Sequence, residues 1–243
     1  HILSQALEHK PQLILAWFSA YPRNIDWSKL EKIADKVEET HGYRPLLMAD
    51  IAHIAGLIAG GVVSSPFPYF DIITTTTHKT LRGPRGALIY CHKGKLERNE
   101  KEINLVASIN RGVFPGVQGW PHEHIVAAKA VAFAEILSSD FARYTQDVVA
   151  NAAVLAQELV KLWWSLVTGG TDNHLILFDV THKDWKEIEV TGKIAEKVLE
   201  EIGISTNKNM LPDDPRSPLD PSGLRIGTPA ITTRGLGEAE MKQ

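Results

Sequence analysis

Short apolar runs alternate with helical patterns over residues 13–90, and this alternation restricts the possible folds more than any other feature of the chain. The strand-like runs are LILA, PLLMAD, DIITTTT and ALIY, at residues 13–16, 45–50, 71–77 and 87–90. Between the first two runs, apolar residues recur at helical spacing from Leu30 to Val37, behind Asp26 as a helix cap. Strand–helix–strand units predict a mainly parallel sheet, with the strand at 87–90 antiparallel or at an edge.

Beyond residue 120 the pattern changes to long helical segments and separate strands. Two long helices are predicted at HEHIVAAKAVAFAEIL and DVVANAAVLAQELVKLW. They are followed by a strand at NHLILFDV, a helix at GKIAEKVLEEIG and a last strand at GLRIGT. This order is typical of an α+β domain. We therefore predict one domain over residues 1–137 and a smaller one over residues 138–243.

The composition argues against several classes of function. A formal net charge of −3 over 243 residues gives no basic field for nucleic acid. The single cysteine, Cys91, cannot form an internal disulfide, and no Cys/His cluster indicates a metal site. The chain has neither an apolar run of membrane-spanning length nor a signal-peptide pattern. We expect a cytoplasmic protein with no metal, nucleic-acid or membrane partner.

Asp50 ends one predicted strand, and Lys79 follows another. Ligands of open α/β sheets bind beyond the carboxyl ends of the strands, so we expect both residues to face one crevice. His78, Arg82 and Arg85 bring positive charge near the Lys79 amine, which favours a neutral nucleophile and attracts a phosphate. An aspartate at this position keeps a pyridine nitrogen protonated, and a pyridoxal phosphate ring in that state is a strong electron sink.

Simpler interpretations of the same residues remain open at this point. Lys79 is also compatible with a solvated surface charge, and Asp50 with a cap for the turn at IAHIAG. His53 on an apolar helix is more often a hydrogen-bonded core residue than a catalytic one. The threonine run forms strands well without a ligand, and Arg225 is compatible with the cap of a strand edge.

Several motifs together carry a resemblance to a known family. They are ADIAHIAGLIAGG, TTTTHKTLRGPRGA, VFPGVQG, GGTDNH, NKN and SGLRIGTPA. In this order and approximate spacing they resemble the serine hydroxymethyltransferases, and the similarity covers nearly the whole chain. The resemblance implies an α/β protein of fold type I, with part of the large domain that binds pyridoxal phosphate followed by a smaller α+β domain.

The family resemblance also implies an activity and partners. It implies interconversion of serine and glycine, dependent on pyridoxal 5′-phosphate, with transfer of the one-carbon unit to tetrahydrofolate. This chemistry belongs to one-carbon metabolism and amino-acid biosynthesis. The resemblance further implies a homodimer or a higher homo-oligomer, because the family's sites lie between subunits.

Five residues of the first half acquire roles from the resemblance. Lys79 corresponds to the lysine that holds the cofactor covalently, and Asp50 to the partner of the pyridine nitrogen. Thr76 and His78 would flank the covalent link to the cofactor and help position the cofactor and the substrate amine. His53 would lie near the cofactor ring.

Four further residues acquire binding roles in the same way. Ser19 would lie near the phenolic oxygen of the cofactor. Gly119 resembles part of a loop that approaches the phosphate bound by a neighbouring subunit. Arg225 corresponds to the residue that clamps the substrate carboxylate, a task that suits a planar guanidinium. Asn209, the second asparagine of NKN, would contact tetrahydrofolate.

The sequence departs from the family pattern at several tryptophans. The pattern has glycine at Trp17 and Trp120, and again near Trp163 and Trp164. An indole would clash, or force a rearrangement, where the backbone must approach a phosphate or another backbone. The pattern also includes a long segment before residue 1 and helices after the last residue. We therefore expect an internal piece of such an enzyme, with weak activity or none by itself.

Two alternatives to an active serine hydroxymethyltransferase are carried forward. The first is another fold-type I enzyme such as a threonine aldolase, which would share the lysine and aspartate but not the NKN motif. The second is a truncated or remodelled scaffold of the same family that has lost catalysis. Binding of pyridoxal phosphate and a response to folate distinguish these alternatives.

Overall fold

The computed structural model describes residues 1–17, 19–92, 95–98, 101–181 and 189–243. These residues form two compact units. The first comprises His1–Phe18, Ile25–Ala59 and Ser64–Ser138, and the second comprises Ser19–Asn24, Gly60–Val63 and Ser139–Gln243. The assignment of a cofactor-binding domain to residues 1–137 and a small domain to residues 138–243 stays a prediction. Among the described residues, no helix is both long and apolar enough to cross a bilayer.

The first unit contains a four-stranded sheet flanked by helices. Its elements are α1 (Ile2–His9), β1 (Leu13–Trp17), α2 (Trp27–His41), β2 (Leu46–Asp50), α3 (Ala55–Ala59), β3 (Ile72–Thr76), β4 (Ala87–Cys91), β5 (Lys95–Arg98), β6 (Lys101–Asn104), α4 (Leu105–Arg111) and α5 (Glu123–Ile136). The sheet order is β1-β2-β3-β4, with β1, β2 and β3 parallel and β4 antiparallel at the edge. The predicted mainly parallel sheet is confirmed.

Helix α2 forms for reasons that are visible in its sequence. The Asp26 carboxylate accepts a hydrogen bond from the Lys29 N–H at 3.2 Å, which satisfies one of the free donors at the helix start. The helix ends at Gly42, whose φ of 74° is the left-handed conformation that glycine adopts without strain. Its buried side chains include Trp27, whose ring packs edge-on against Phe70 with centroids 5.3 Å apart.

The threonine run of β3 separates onto the two faces of the sheet. Thr75 is buried with the apolar residues of the inner face, whereas Thr74 and Thr76 are half-buried on the opposite face. Alternation of this kind follows from the two-residue period of a strand. The run therefore contributes hydroxyl groups to the face and the strand end that carry Asp50.

The second unit has an antiparallel four-stranded sheet packed against helices. Its elements are α6 (Ser139–Lys161), β7 (Ser165–Leu166), β8 (Leu175–Asp179), α7 (Gly192–Glu201), β9 (Asn207–Asn209), β10 (Gly223–Gly227) and α8 (Pro229–Thr233). The sheet order is β7-β8-β10-β9, and Ile176, Phe178 and Leu224 lie in its core. The predicted strands at NHLILFDV and GLRIGT are present, whereas the strand at NKN was not predicted.

Trp163 has a backbone conformation that favours glycine. Its φ is 64°, and its side chain is 85% exposed at the end of α6. The left-handed conformation costs a residue with a side chain about 1–2 kcal/mol. Glycine avoids this strain, but part of the gain in stability is offset because glycine has more conformational entropy in the unfolded chain. We predict that Trp163→Gly raises the free energy of unfolding by about 0.5–1 kcal/mol in urea titrations.

The neighbouring tryptophan is the matched control for this change. Trp164 is half-buried, and its ring packs edge-on against Phe178 with centroids 5.3 Å apart. Trp164→Ala should therefore lower the free energy of unfolding by about 2 kcal/mol. A loss of stability in Trp163→Gly as large as that in Trp164→Ala would contradict the account.

Asp214 organises the loop between β9 and β10 and makes stability depend on pH. Burial raises the pKa of Asp214, but hydrogen bonds from the N–H groups of Arg216, Ser222 and Leu211 and from the Ser222 hydroxyl outweigh this and lower the pKa to about 2. The unfolded value is near 3.8, so the stabilisation is present above about pH 4 and is lost as pH falls towards 2. After a discount for solvent exposure, we predict a loss of about 1 kcal/mol. The free energy of unfolding is measured as a function of pH, and in Asp214→Asn it should not show this loss between about pH 4 and pH 2. The same pH dependence in Asp214→Asn and in the unaltered chain would contradict the role of Asp214.

Candidate active site

Lys79 lies in a tight turn that directly follows β3. Thr77, which is fully buried, closes this turn through three hydrogen bonds. Its N–H donates to the Gly86 carbonyl at 3.0 Å, its hydroxyl donates to the Pro84 carbonyl at 2.6 Å, and its own carbonyl accepts from the Gly83 N–H at 2.8 Å. The backbone that carries Lys79 is therefore fixed, while the lysine side chain remains partly exposed.

The hydroxyl of Thr80 ties the lysine turn to the turn that carries His53. It donates to the His53 carbonyl at 3.0 Å and accepts from the Gly56 N–H at 2.9 Å. Thr80 is 5% exposed, so this bridge is shielded from water. Thr80 was not predicted as a site residue, because nothing in the local pattern shows that its hydroxyl bonds to residues 24 and 27 positions away.

Gly56 allows this close approach of α3 and the lysine turn. A Cβ atom at Gly56 would overlap the backbone carbonyl of Thr80, and backbone cannot shift as cheaply as the end of a flexible side chain. We predict that Gly56→Ala lowers the free energy of unfolding by about 3 kcal/mol, measured by denaturant titration. Gly112 is the control, because its φ is −63° and it has open space around the Cβ position. Gly112→Ala should change stability by less than about 1 kcal/mol, and equal losses in the two variants would refute the packing argument.

Asp50 is held at the end of β2 by hydrogen bonds to both of its carboxylate oxygens. Oδ1 accepts from the Ala52 N–H at 3.0 Å, and Oδ2 accepts from the Thr74 hydroxyl at 3.0 Å. The capping role that the sequence left open is therefore present. An ionised carboxylate has about four acceptor positions, so a further donor can still bind. Thr74, which orients Asp50, was not predicted as a site residue.

Two buried polar atoms beside Lys79 have no partner among the residues that the structure describes. They are Oγ1 of Thr76 and Nδ1 of His78. A buried polar atom without a hydrogen bond costs about 1–3 kcal/mol, and native proteins rarely leave such atoms unsatisfied. Both residues lie within three positions of the candidate lysine, and their unsatisfied atoms fit a ligand that supplies the missing polar contacts.

The predicted site residues of the first unit lie near the ends of β2 and β3, with the exception of Gly119. Asp50, Thr76, His78 and Lys79 lie at the adjacent carboxyl ends of β2 and β3 or directly after them, and His53 lies on the turn after β2. Gly119 lies elsewhere, in an exposed segment after α4, with open space around its Cβ position.

The tryptophan next to Gly119 is accommodated on the surface of the described chain. Trp120 is 84% exposed, and its ring centroid lies 4.9 Å from that of Phe114. Neither this indole nor that of Trp17 is buried against the backbone. The predicted conflict with a bound phosphate stays a prediction.

Arg225 is the main charged group of the second unit's candidate site. Its Nη1 donates to the Ser19 carbonyl at 2.7 Å, and its Nη2 donates to Oδ1 of Asn207 at 2.9 Å. Burial lowers the pKa of the Arg225 guanidinium. Among the described residues, no carboxylate lies within ion-pair distance of it. A half-buried cation with neutral partners is suited to bind an anionic ligand group.

Ser19 and Asn209 belong to the same unit as Arg225. Ser19 contributes its backbone carbonyl to Arg225. Asn209 lies on β9, opposite Gly223 of β10, and its side-chain amide donates to the Met210 carbonyl at 2.7 Å. Asn207, the first asparagine of NKN, was not predicted as a site residue, although the motif contains it. Among the described residues, no group of three or more His, Cys, Asp or Glu side chains is placed to hold a metal ion.

Comparison with known proteins places this arrangement in a family. The family described as serine hydroxymethyltransferase matches residues 1–243. The chain belongs to the serine hydroxymethyltransferase family. Serine hydroxymethyltransferases are pyridoxal-phosphate-dependent transferases of fold type I, and the α/β architecture agrees with that class. The family resemblance inferred from the motifs is therefore confirmed.

Curated serine hydroxymethyltransferases of Legionella pneumophila are among the similar proteins. Those of the Corby and Lens strains are each 52% identical to the chain over 236 residues. The match covers 97% of this chain and 52% of each relative. The chain thus spans about half the length of the curated relatives that it matches.

Proposed function

We propose that the chain carries the cofactor lysine and the substrate arginine of a serine hydroxymethyltransferase. The proposed reaction interconverts serine and glycine and transfers the one-carbon unit to tetrahydrofolate. One observation carries the proposal: Lys79 follows the strand end next to Asp50, shortly after two residues whose buried polar atoms lack partners among the described residues. In a chain of this family, that arrangement fits pyridoxal phosphate.

The residues of the first unit would hold the cofactor. Lys79 would supply the amine that attaches it, and Asp50 would hold a proton on the pyridine nitrogen. Thr76 Oγ1 and His78 Nδ1 would gain the hydrogen bonds that they lack. The bridge from Thr80 to the His53 carbonyl would keep the two turns in register while the ligand binds. When bound, pyridoxal phosphate supplies the electron sink for the bond-breaking step.

The residues of the second unit would bind the substrate and folate. The planar fork of Arg225 would pair with the substrate carboxylate, with its orientation fixed by the Ser19 carbonyl and Asn207. Its partial burial strengthens such a pair, because the interaction is less screened than in water. Asn209 would contact tetrahydrofolate.

The remaining roles concern assembly and location. Gly119 would approach a cofactor phosphate in a neighbouring subunit of a homo-oligomer, which agrees with its open surroundings. We place the protein in the cytoplasm, in keeping with its single cysteine.

A folate-dependent change in the visible spectrum tests the proposed function. The chain is incubated with pyridoxal phosphate and glycine, and spectra are recorded before and after addition of tetrahydrofolate. We expect a new long-wavelength band that requires both glycine and folate. A band that forms with glycine but ignores folate would favour an aldolase. Retention of the fold without any cofactor band would favour the inactive scaffold.

A further inference from the structure

Trp17 stands beside Asp50 on the same face of the first unit's sheet. Trp17 is the register partner of Asp50 in the parallel pair β1–β2, and Asp50 is the partner of Thr74 in the pair β2–β3. Neighbouring residues in such a row project from the same face of a sheet. The hydrogen bond from Thr74 to Asp50, 3.0 Å long, is direct evidence that these two side chains share that face. The indole and the carboxylate therefore project from the same face, on neighbouring strands.

The Trp17 side chain is not part of the core. It is 64% exposed, whereas Ala16, which points to the other face, is 8% exposed. Leu15 on the same face as Trp17 is 52% exposed. An indole that remains in water gains no stability from burial, so packing within the described chain does not explain this residue. It is instead available to a planar ligand held by Asp50.

The chemistry of a protonated pyridine ring matches this position. A ring whose nitrogen is protonated by Asp50 is electron-poor, and indole is the side chain that binds such cationic or electron-poor groups best. Aromatic rings interact at centroid separations of about 4.5–7 Å. Long side chains at neighbouring positions of a sheet come this close, so the Trp17 indole can reach a ring that is held by Asp50. Ala52 and Thr74 already orient the Asp50 carboxylate. Asp50 would therefore bind the ring nitrogen, and Trp17 would contact the face of the ring.

We propose that Trp17 is a stacking platform for the pyridine ring of the cofactor. The proposal rests on the proposed function, because it requires the ring to bind at Asp50. The family pattern has glycine at this position, so the contact would be particular to this chain. Trp17 would act as a binding residue that raises affinity for the ring and leaves the covalent chemistry to Lys79.

Fluorine NMR of the chain labelled with 5-fluorotryptophan gives a readout for each indole. The Trp17 resonance is assigned from Trp17→Phe, and pyridoxal phosphate is then added in equimolar amount. We expect the Trp17 resonance to shift and that of Trp163, 85% exposed in the second unit, to stay in place. In parallel titrations, Trp17→Ala should weaken binding roughly 2- to 13-fold. Trp17→Phe should retain most of the affinity, and the control Trp163→Phe should match the unaltered chain.

The outcomes separate this inference from the proposed function. Labelling of Lys79 with an unchanged Trp17 resonance would overturn the stacking role and leave the proposed function standing. So would tighter binding by Trp17→Gly, since the indole would then block the ring. If neither the unaltered chain nor Trp17→Gly is labelled at Lys79, both the proposed function and this inference are wrong.

Discussion

Lys79→Arg should abolish borohydride-stable labelling by pyridoxal phosphate at this position. In a full-length family member that carries this segment, it should also lower serine turnover by on the order of 10²–10⁴. Arginine keeps the charge and approximate length, but a guanidinium does not lose its proton in proteins and cannot serve as the attacking amine. Label stoichiometry by mass spectrometry and a glycine-formation assay measure the two effects.

Lys129 provides the matched control for this change. It lies on α5 of the same unit, and its Nζ donates to the Ala87 carbonyl at 3.0 Å. Lys129→Arg preserves a donor for that carbonyl and should leave labelling and turnover unchanged. Equal label stoichiometry in Lys79→Arg and the unaltered chain would show that another lysine holds the cofactor.

Arg225→Lys should weaken binding of glycine and serine by about 10²-fold. Lysine keeps the charge but loses the planar fork, which bonds the Ser19 carbonyl and Asn207 from two separate nitrogens. Dissociation constants are measured from the spectrum of the cofactor-bound chain. The effect should fall on ligands with a carboxylate, because that group is the proposed partner of the guanidinium.

The ligand 2-aminoethanol separates a binding role from a structural one. It has the amine and hydroxyl of serine but no carboxylate, so Arg225→Lys should leave its affinity nearly unchanged. Asn207→Ala should weaken carboxylate binding less, since it removes one neutral partner and keeps the guanidinium. Equal losses for 2-aminoethanol and serine in Arg225→Lys would assign the arginine a purely structural role.

Whereas β5 and β6 were not predicted, the four strands of the first unit's main sheet were predictable because short apolar runs and helical periods are local signals. The same is true of Asp26, which was predicted to cap α2 and does so. Trp163 has a positive φ, a conformation that is compatible with the glycine that the family resemblance implies near this position. These features depend on residues that are close together in the chain.

Contacts between distant positions were not predictable. Residues 19–24 belong to the second unit, where Arg23 forms an ion pair with Asp172 at 2.7 Å, 149 positions away. Its guanidinium also donates to the Thr168 carbonyl at 2.7 Å. No periodic pattern in the sequence predicts an ion pair between such distant residues.

The residues that orient the candidate site show the same difference. Asp50 and Lys79 were identified from strand ends and from the family motifs. Thr74, Thr80 and Asn207 were missed, since their hydrogen bonds join separate segments of the chain. Motifs identify the residues that react. The residues that orient them through hydrogen bonds can be identified only from the folded structure.

The most direct test of the central claim is to find where pyridoxal phosphate attaches. The chain is incubated with one equivalent of the cofactor, reduced with borohydride and mapped by peptide mass spectrometry. We expect a visible absorption band before reduction and a dominant label on Lys79. The absence of a band, or labels scattered over surface lysines such as Lys29, Lys36 and Lys161, would contradict it.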